Sequence, residues 1–272
     1  MFDLSLIQII LSIISGLIVG FSLGLIGGGG SILAIPLLIY LVGYNHPHTV
    51  IGTTALAVGI NAYLNLIPHA RKNNVKFKPG IIFSIFGVFG VLLGAQLGLI
   101  TPGKKLLFLF AIVMIIIAIN MYRKKCPSNV NEKINKKPNY YLLILYAFLV
   151  GFASGYFGIG GGFMIVPSLI YGAGLNILNA IGTSLLSVGT FGITTAIRYS
   201  ISGKINIFIT ILYISGGIFG GWIGAHFAHR VPRMLLTKIF AIIIIIVAIY
   251  MIYEKCNSIS LNLPKCFYLF NP

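Results

Sequence analysis

The residues best suited to chemistry lie in two matching stretches, Gly20-Phe-Ser-Leu-Gly-Leu-Ile-Gly-Gly-Gly-Gly-Ser-Ile-Leu-Ala-Ile-Pro36 and Gly151-Phe-Ala-Ser-Gly-Tyr-Phe-Gly-Ile-Gly-Gly-Gly-Phe-Met-Ile-Val-Pro167. Each sets a glycine run in an apolar background. Consecutive glycines favour conformations other than the helix, so each run is expected to break the chain, with Pro36 and Pro167 tolerated just inside the helix that follows. A helix that starts at such a break points free N–H groups and about half a positive charge at whatever faces it. Two such starts facing each other would hold a small anion without any buried cation. The groups that would do so are the backbones of Gly28, Gly29, Gly30 and Ser31 in the first stretch and of Gly160, Gly161 and Gly162 in the second.

Other polar residues stand near these runs. Thr53 and Thr54 in Ile51-Gly-Thr-Thr-Ala-Leu56 match Thr183 and Ser184 in Ile181-Gly-Thr-Ser-Leu-Leu186. Their hydroxyls suit either a cavity wall or a helix cap. His69, Arg71 and Arg198 close apolar segments, and Gln96 and His226 interrupt them at matching positions. These five are candidates for a gate or for a proton or anion path. Against that, an arginine at a segment end orients the chain, and an isolated polar residue in a bundle usually joins neighbouring helices. Glycines spaced four apart, at 16, 20 and 24, at 90, 94 and 98, and at 216, 220 and 224, read as close helix packing instead.

Several chemistries are excluded. Neither glycine run is followed by Lys-Ser or Lys-Thr, so the phosphate-loop pattern is absent. No HExxH, paired carboxylates or intramembrane Ser/His/Asp set supports an enzyme, so no catalytic residue is assigned. Cys126, Cys256 and Cys266 form an odd set without a CxxC pair or histidine partner, which indicates neither a disulfide framework nor zinc. No cofactor or metal is expected. Apart from Asp3 at the edge, the apolar segments hold no carboxylate, whereas sodium sites and proton relays commonly use one. An anion leaving a negatively charged interior gains roughly 2.3 kcal/mol per charge per 100 mV, so its export needs no coupling ion.

The elements that must position these groups follow from composition. Of 272 residues, 58% are hydrophobic and 8% charged, and the mean hydropathy is +1.01, which describes an all-α polytopic membrane protein. Residues 4–70 and 138–197 contain no Asp, Glu, Lys or Arg, so each run is long enough to cross a bilayer more than once at about 20 residues per helix. The +16 charge concentrates in loops, where it orients spans rather than binding nucleic acid. Apolar segments fall near 5–26, 31–43, 50–68, 79–99 and 104–122, then near 140–157, 162–175, 180–198, 205–228 and 233–253. The first is read as a retained helix and not a signal peptide, since it lacks a basic start and a small-residue cleavage site.

The halves repeat one another beyond the glycine runs. Gly87, Gly90, Gly94 and Ala95 match Gly217, Gly220, Gly224 and Ala225, and Pro102 matches Pro232. The expected organisation is a first transmembrane repeat over 1–122, a basic cytoplasmic linker over 123–139, a second repeat over 140–253 and a tail over 254–272. Each repeat has about four to five membrane segments. An odd number of crossings per half inverts the second repeat, which brings both glycine breaks near the midplane. With the linker inside, twelve Lys and Arg fall on the cytoplasmic side and six outside, with both termini outside.

The paired glycine stretches ending in Pro36 and Pro167, each followed by Gly-Thr-Thr or Gly-Thr-Ser and then a glycine-rich helix, resemble the TauE/SafE family of sulfite exporter-type membrane proteins. The resemblance spans roughly residues 5–253. It implies a multi-pass permease of the cell (inner) membrane with inverted repeats, exporting sulfite, sulfonates or related organosulfur anions. Alternating access of one half against the other is the expected mechanism. The alternative is a passive anion channel. A small anion and the lipid bilayer are the expected partners, with no nucleic acid, and association into a homo-oligomer is left open.

Overall fold

The computed structural model describes residues 5–123, 139–227 and 233–260, and every regular element among them is helical. The helices are α1 (Leu6–Ile26), α2 (Ala34–Pro36), α3 (Pro47–Arg71), α4 (Phe77–Ile100), α5 (Gly103–Arg123), α6 (Tyr140–Phe157), α7 (Gly162–Ala173), α8 (Ile177–Ile201), α9 (Ile207–Phe227) and α10 (Arg233–Ser260). A 3-10 segment, Gly27–Leu33, precedes α2, and a π-helical turn, Leu37–Leu41, follows it. Six stretches are long and apolar enough to cross a membrane: Leu6–Leu41, Pro47–Arg71, Phe77–Ile100, Tyr140–Phe157, Ile177–Ile201 and Ile207–Phe227. The segment read near 31–43 joins the first directly through the 3-10 segment, where the chain turns back on α1, so Leu6–Leu41 is not one straight helix. Most of the basic linker, with Cys126, and Arg230, Pro232 and Cys266 lie outside the described residues. Helix α10 continues into the stretch read as a tail.

Helix starts are set by side chains that satisfy otherwise unpaired N–H groups. Ser5 and Gln8 form a reciprocal capping box on α1. Asn139 accepts from Leu142 N at 3.3 Å, Asn176 from Asn179 N at 2.8 Å and Asn206 from Ile209 N at 3.2 Å, at the starts of α6, α8 and α9. Pro47 opens α3, where its missing N–H costs nothing. Inside the helices, Ser12, Ser15, Ser22 and Ser168 donate to the carbonyl four residues back, so their hydroxyls need no partner in lipid.

The described residues form two compact units, one holding α1–α4 and α6–α9, the other α5 and α10. Both halves of the chain contribute to each. In the smaller unit α5 packs along α10 and buries Leu106, Phe110, Met114 and Ala118 at four-residue spacing, with Ala241, Ile244, Ala248 and Met251 buried on α10.

In the larger unit the packing is reciprocal. Helix α1 lies along α9, α6 lies along α4, and α3 crosses α8 at the centre. Each half therefore supplies the principal partner of the other half's first helix. Glycines make these approaches close. A Cβ at Gly16, Gly20 or Gly24 would strike the carbonyl of Tyr213, Gly217 or Gly221, and one at Gly216, Gly220 or Gly224 would strike that of Ile13, Leu17 or Phe21. Gly90 and Gly94 stand in the same relation to Phe148 and Phe152, as do Gly151 and Gly155 to Gly87 and Val91. Large side chains point outward instead, among them Leu17, Phe89, Leu93, Phe219 and Trp222. Small residues inside and large apolar residues outside is the arrangement expected of helices packed in lipid.

Candidate functional site

The two glycine runs meet, although they are built differently. Helix α1 ends at Ile26, and Gly27 reverses the path with φ +76°, a conformation that favours glycine. Gly28 to Leu33 then continue as a tight 3-10 turn. In the second half, Gly158, Gly160 and Gly161 have φ of +69°, +68° and +62°, forming the turn from which α7 starts at Gly162. Only the second run therefore starts an α-helix of several turns. The expectation of two facing helix starts is corrected on this point: α2 has three residues, and the first run presents a 3-10 turn. The physical reason is that Gly28 to Gly30 keep negative φ, so a single sharp bend at Gly27 suffices.

Contact between the runs is backbone to backbone. A Cβ on Gly28 would overlap the Cα of Gly162, and one on Gly162 would overlap the carbonyl of Gly28. Gly29 is roomier, with Ile26 Cγ2 at 3.1 Å from its Cβ position. Gly30 is closed off by Ser22 and Leu23 of α1, and Gly161 by the Cβ of Ser154 at 2.8 Å. Ser31 donates to Gly28 O at 2.7 Å, and Gly27 to Ser31 are all buried. Ser184 also belongs to this centre, since its hydroxyl accepts from Gly28 N at 3.3 Å and donates to Ile181 O at 2.7 Å.

Two residues not singled out in the sequence complete the wall. Val188 places one methyl where a Cβ on Gly28 would go and the other 3.0 Å from the Cβ position of Gly160, and Val58 lies 3.6 Å from the latter. The available signal was that Val58 and Val188 are the same residue at repeat-matched positions of α3 and α8.

The remaining hydroxyls do other work. Thr54 donates within its own helix to Val50 O at 2.7 Å. Thr53 and Thr183 make matching bonds to the opposite half: Thr53 accepts from Asn206 N and Thr183 from Lys76 N, both at 2.9 Å. They pin the entries of α9 and α4. Replacing Thr53 by Val is expected to cost about 1–3 kcal/mol by stranding a buried N–H. The same change at Thr183 should cost less, because Lys76 is exposed and water can take its N–H. Thermal melts of the two variants in detergent check this order, and equal losses would contradict it.

The structure joins some of the expected path residues and separates others. Arg198 donates through Nε to Gln96 Oε1 at 2.9 Å, and its terminal nitrogen reaches the same oxygen, linking α8 to α4. His69 is buried, with Nε2 3.0 Å from Gly24 O on α1. Arg71 is exposed, and exposed His226 lies edge-on to the ring of Phe227 at 5.9 Å. An apolar groove of about 470 Å³ between α4 and α6, lined by Phe86, Phe89, Tyr141, Ile144, Leu145 and Phe148, suits an acyl chain and not an anion.

Comparison with known proteins agrees with this architecture. Residues 12–251 match the family described as Sulfite exporter TauE/SafE. A "Probable membrane transporter protein" of Xylella fastidiosa strain Temecula1 is 42% identical over 262 residues, covering 93% of this chain and 98% of that one. A protein of the same description from strain 9a5c is 44% identical over 255 residues, with 93% and 98% covered. The "Probable membrane transporter protein YunE" of Bacillus subtilis is 27% identical over 271 residues, with 92% and 99% covered. No solved structure matches.

Proposed function

Because the chain belongs to the sulfite exporter TauE/SafE family, a family of membrane transporters and not of enzymes, we propose that it is a secondary carrier exporting small sulfur oxyanions. Sulfite, sulfonates and related organosulfur anions are the substrate class. The observation that carries this reading is the meeting of Gly28 and Gly162, where two irregular backbone segments from the two halves touch inside an apolar bundle. Irregular backbone at membrane depth is tolerated where it faces protein or a watery path, and it supplies N–H groups without a fixed charge. The α7 N-terminus lies on one side of this junction, with the hydroxyls of Ser31 and Ser184 at Gly28 and that of Ser154 beside Gly161.

In this proposal the repeats are inverted, and the reciprocal pairing of α1 with α9 and α6 with α4 supports a two-fold relation between them. Alternating access then separates the two runs first from one side and then from the other. Their closed backbone contact supports a carrier over an open channel. The membrane is the cell's inner membrane, where the potential drives anions outward.

The test is efflux of labelled sulfite from proteoliposomes with the potential set by a potassium gradient. Saturable, potential-driven efflux is expected. Flux that rises linearly with concentration would replace the carrier with a channel, and no flux of sulfite or any sulfonate would remove the substrate class.

A further inference from the structure

Two carboxamides stand unpartnered in the core of the larger unit. Asn61 and Asn65 of α3 are 0% and 1% exposed, and neither oxygen nor nitrogen of either side chain has a hydrogen-bond partner among the described residues. They sit one turn apart and face α9. A Cβ on Gly217 would fall on the carboxamide of Asn61, and one on Gly221 on that of Asn65, so α3 and α9 run in register. Tyr213, one turn before Gly217 on α9, is likewise fully buried, with its hydroxyl unpartnered.

The repeat supplies an internal control on whether packing needs these groups. Helices α3 and α8 both have 25 residues, and Thr53 and Asn61 of the first fall opposite Thr183 and Phe191 of the second. By the same register Tyr213 corresponds to Phe83, and Gly217 to Gly87. On that side the niche is filled by Phe191 against Gly87, with Phe83 at a centroid distance of 6.1 Å. Two phenyl rings therefore meet the packing requirement. The other side holds a phenol and a carboxamide at the same places, and a further carboxamide at 65. Unpaired buried polar atoms destabilise a closed bundle, so their presence points to a state in which they are paired.

We propose that Asn61, Asn65 and Tyr213 form a one-sided binding site for the oxygens of a small oxyanion, entered when α9 parts from α3. The carboxamide N–H groups and the phenol O–H are donors without charge, a set that can hold an anion and still release it. Gly217 and Gly221 let the carboxamides fold away against α9 when the site is closed. The repeat-matched aromatic pair offers no such donors, and that side keeps only the buried, unpartnered hydroxyl of Thr195 opposite Asn65, so a carboxamide pair and a phenol face the solute on one side alone. Identification of that solute as a sulfur oxyanion rests on the function proposed above; the existence of the site does not.

Two experiments test it. Leucine has the branching of asparagine without its polarity, so the double variant Asn61→Leu/Asn65→Leu should insert and melt at or above the wild-type temperature while sulfite efflux falls at least tenfold. Phe191→Leu should stay within threefold of wild type. Unchanged efflux in the double variant, with wild-type protein active, overturns the site. The second experiment needs no transported substrate. In a background with Cys126, Cys256 and Cys266 replaced by Ser, Asn65→Cys in native membranes should prefer the anionic 2-sulfonatoethyl methanethiosulfonate over its cationic trimethylammonioethyl analogue at least tenfold, with each labelling rate divided by that reagent's rate with free cysteine. That result would support the site even if wild-type protein carried no sulfite, which would overturn only the proposed substrate. Failure of both reagents to label, or equal labelling by both, overturns the proposal.

Discussion

Gly28→Ala is expected to abolish transport and to reduce the yield of folded protein, whereas Gly29→Ala, one residue on, is expected to leave both close to wild type. The added methyl at Gly28 would overlap the Cα of Gly162 and a methyl of Val188. Backbone of the opposing run cannot rotate away as a side chain can, so relief requires the two runs to separate. Overpacking of this kind costs roughly 1–3 kcal/mol even where neighbours can adjust. At Gly29 the new methyl would meet Ile26 Cγ2 at 3.1 Å, a contact relieved by a shift of a few tenths of an ångström, and otherwise only Ile26 Cβ and Phe163 Cα at ordinary distances of 3.9 and 4.0 Å. Neither residue needs positive φ, so conformational strain does not confuse the comparison. Transport assays with quantified membrane insertion decide the matter. If both alanine variants behave alike, the junction between the runs is not where the structure puts it.

Gly20→Val should be the most damaging change outside that junction. Its Cβ would strike the carbonyl and Cα of Gly217, and valine adds two further methyls, which forces α1 away from α9 over its whole length. The reciprocal change, Gly151→Val, would do the same to α6 and α4 through Gly87. Each is expected to lower stability by at least about 1–3 kcal/mol and to give aggregated material on size exclusion in mild detergent. A control is Gly43→Ser, whose Cβ would meet nothing within 4 Å and which bears only the strain of φ +77°. Monodisperse Gly20→Val with an unshifted melting temperature would be incompatible with the α1–α9 contact.

Much of this arrangement could be read from residue spacing. Glycines four apart at 16, 20 and 24 and at 216, 220 and 224 are close-packing stripes, and they face α9 and α1 respectively. What spacing could not say was which stripe meets which, because α1 and α9 belong to different halves and nothing local encodes their pairing. The consecutive glycines were legible as breaks, yet not that the first would be a 3-10 turn, since glycine permits that backbone as readily as a full stop. Helix starts are capped by Asn139, Asn176 and Asn206, since asparagine before an apolar run is a stronger capping signal than the threonines at 53 and 183. Asn61 and Asn65 carry no repeat signal, because comparing the halves highlights identities and their counterparts, Phe191 and Thr195, differ from them. The pairing of Arg198 with Gln96 joins residues about 100 positions apart in opposite halves, which no pattern within either half contains.

The exchange of partners between halves also sets the order of events during synthesis. Helix α1 leaves the ribosome with a glycine-lined face before α9, to which the face that fits it belongs, some 180 residues later. At the usual 5–20 residues per second, α1 waits between roughly ten and forty seconds for its partner. Helix α4 waits a shorter time for α6. The first half on its own thus holds unmatched grooves, and its close packing is completed by the arrival of the second.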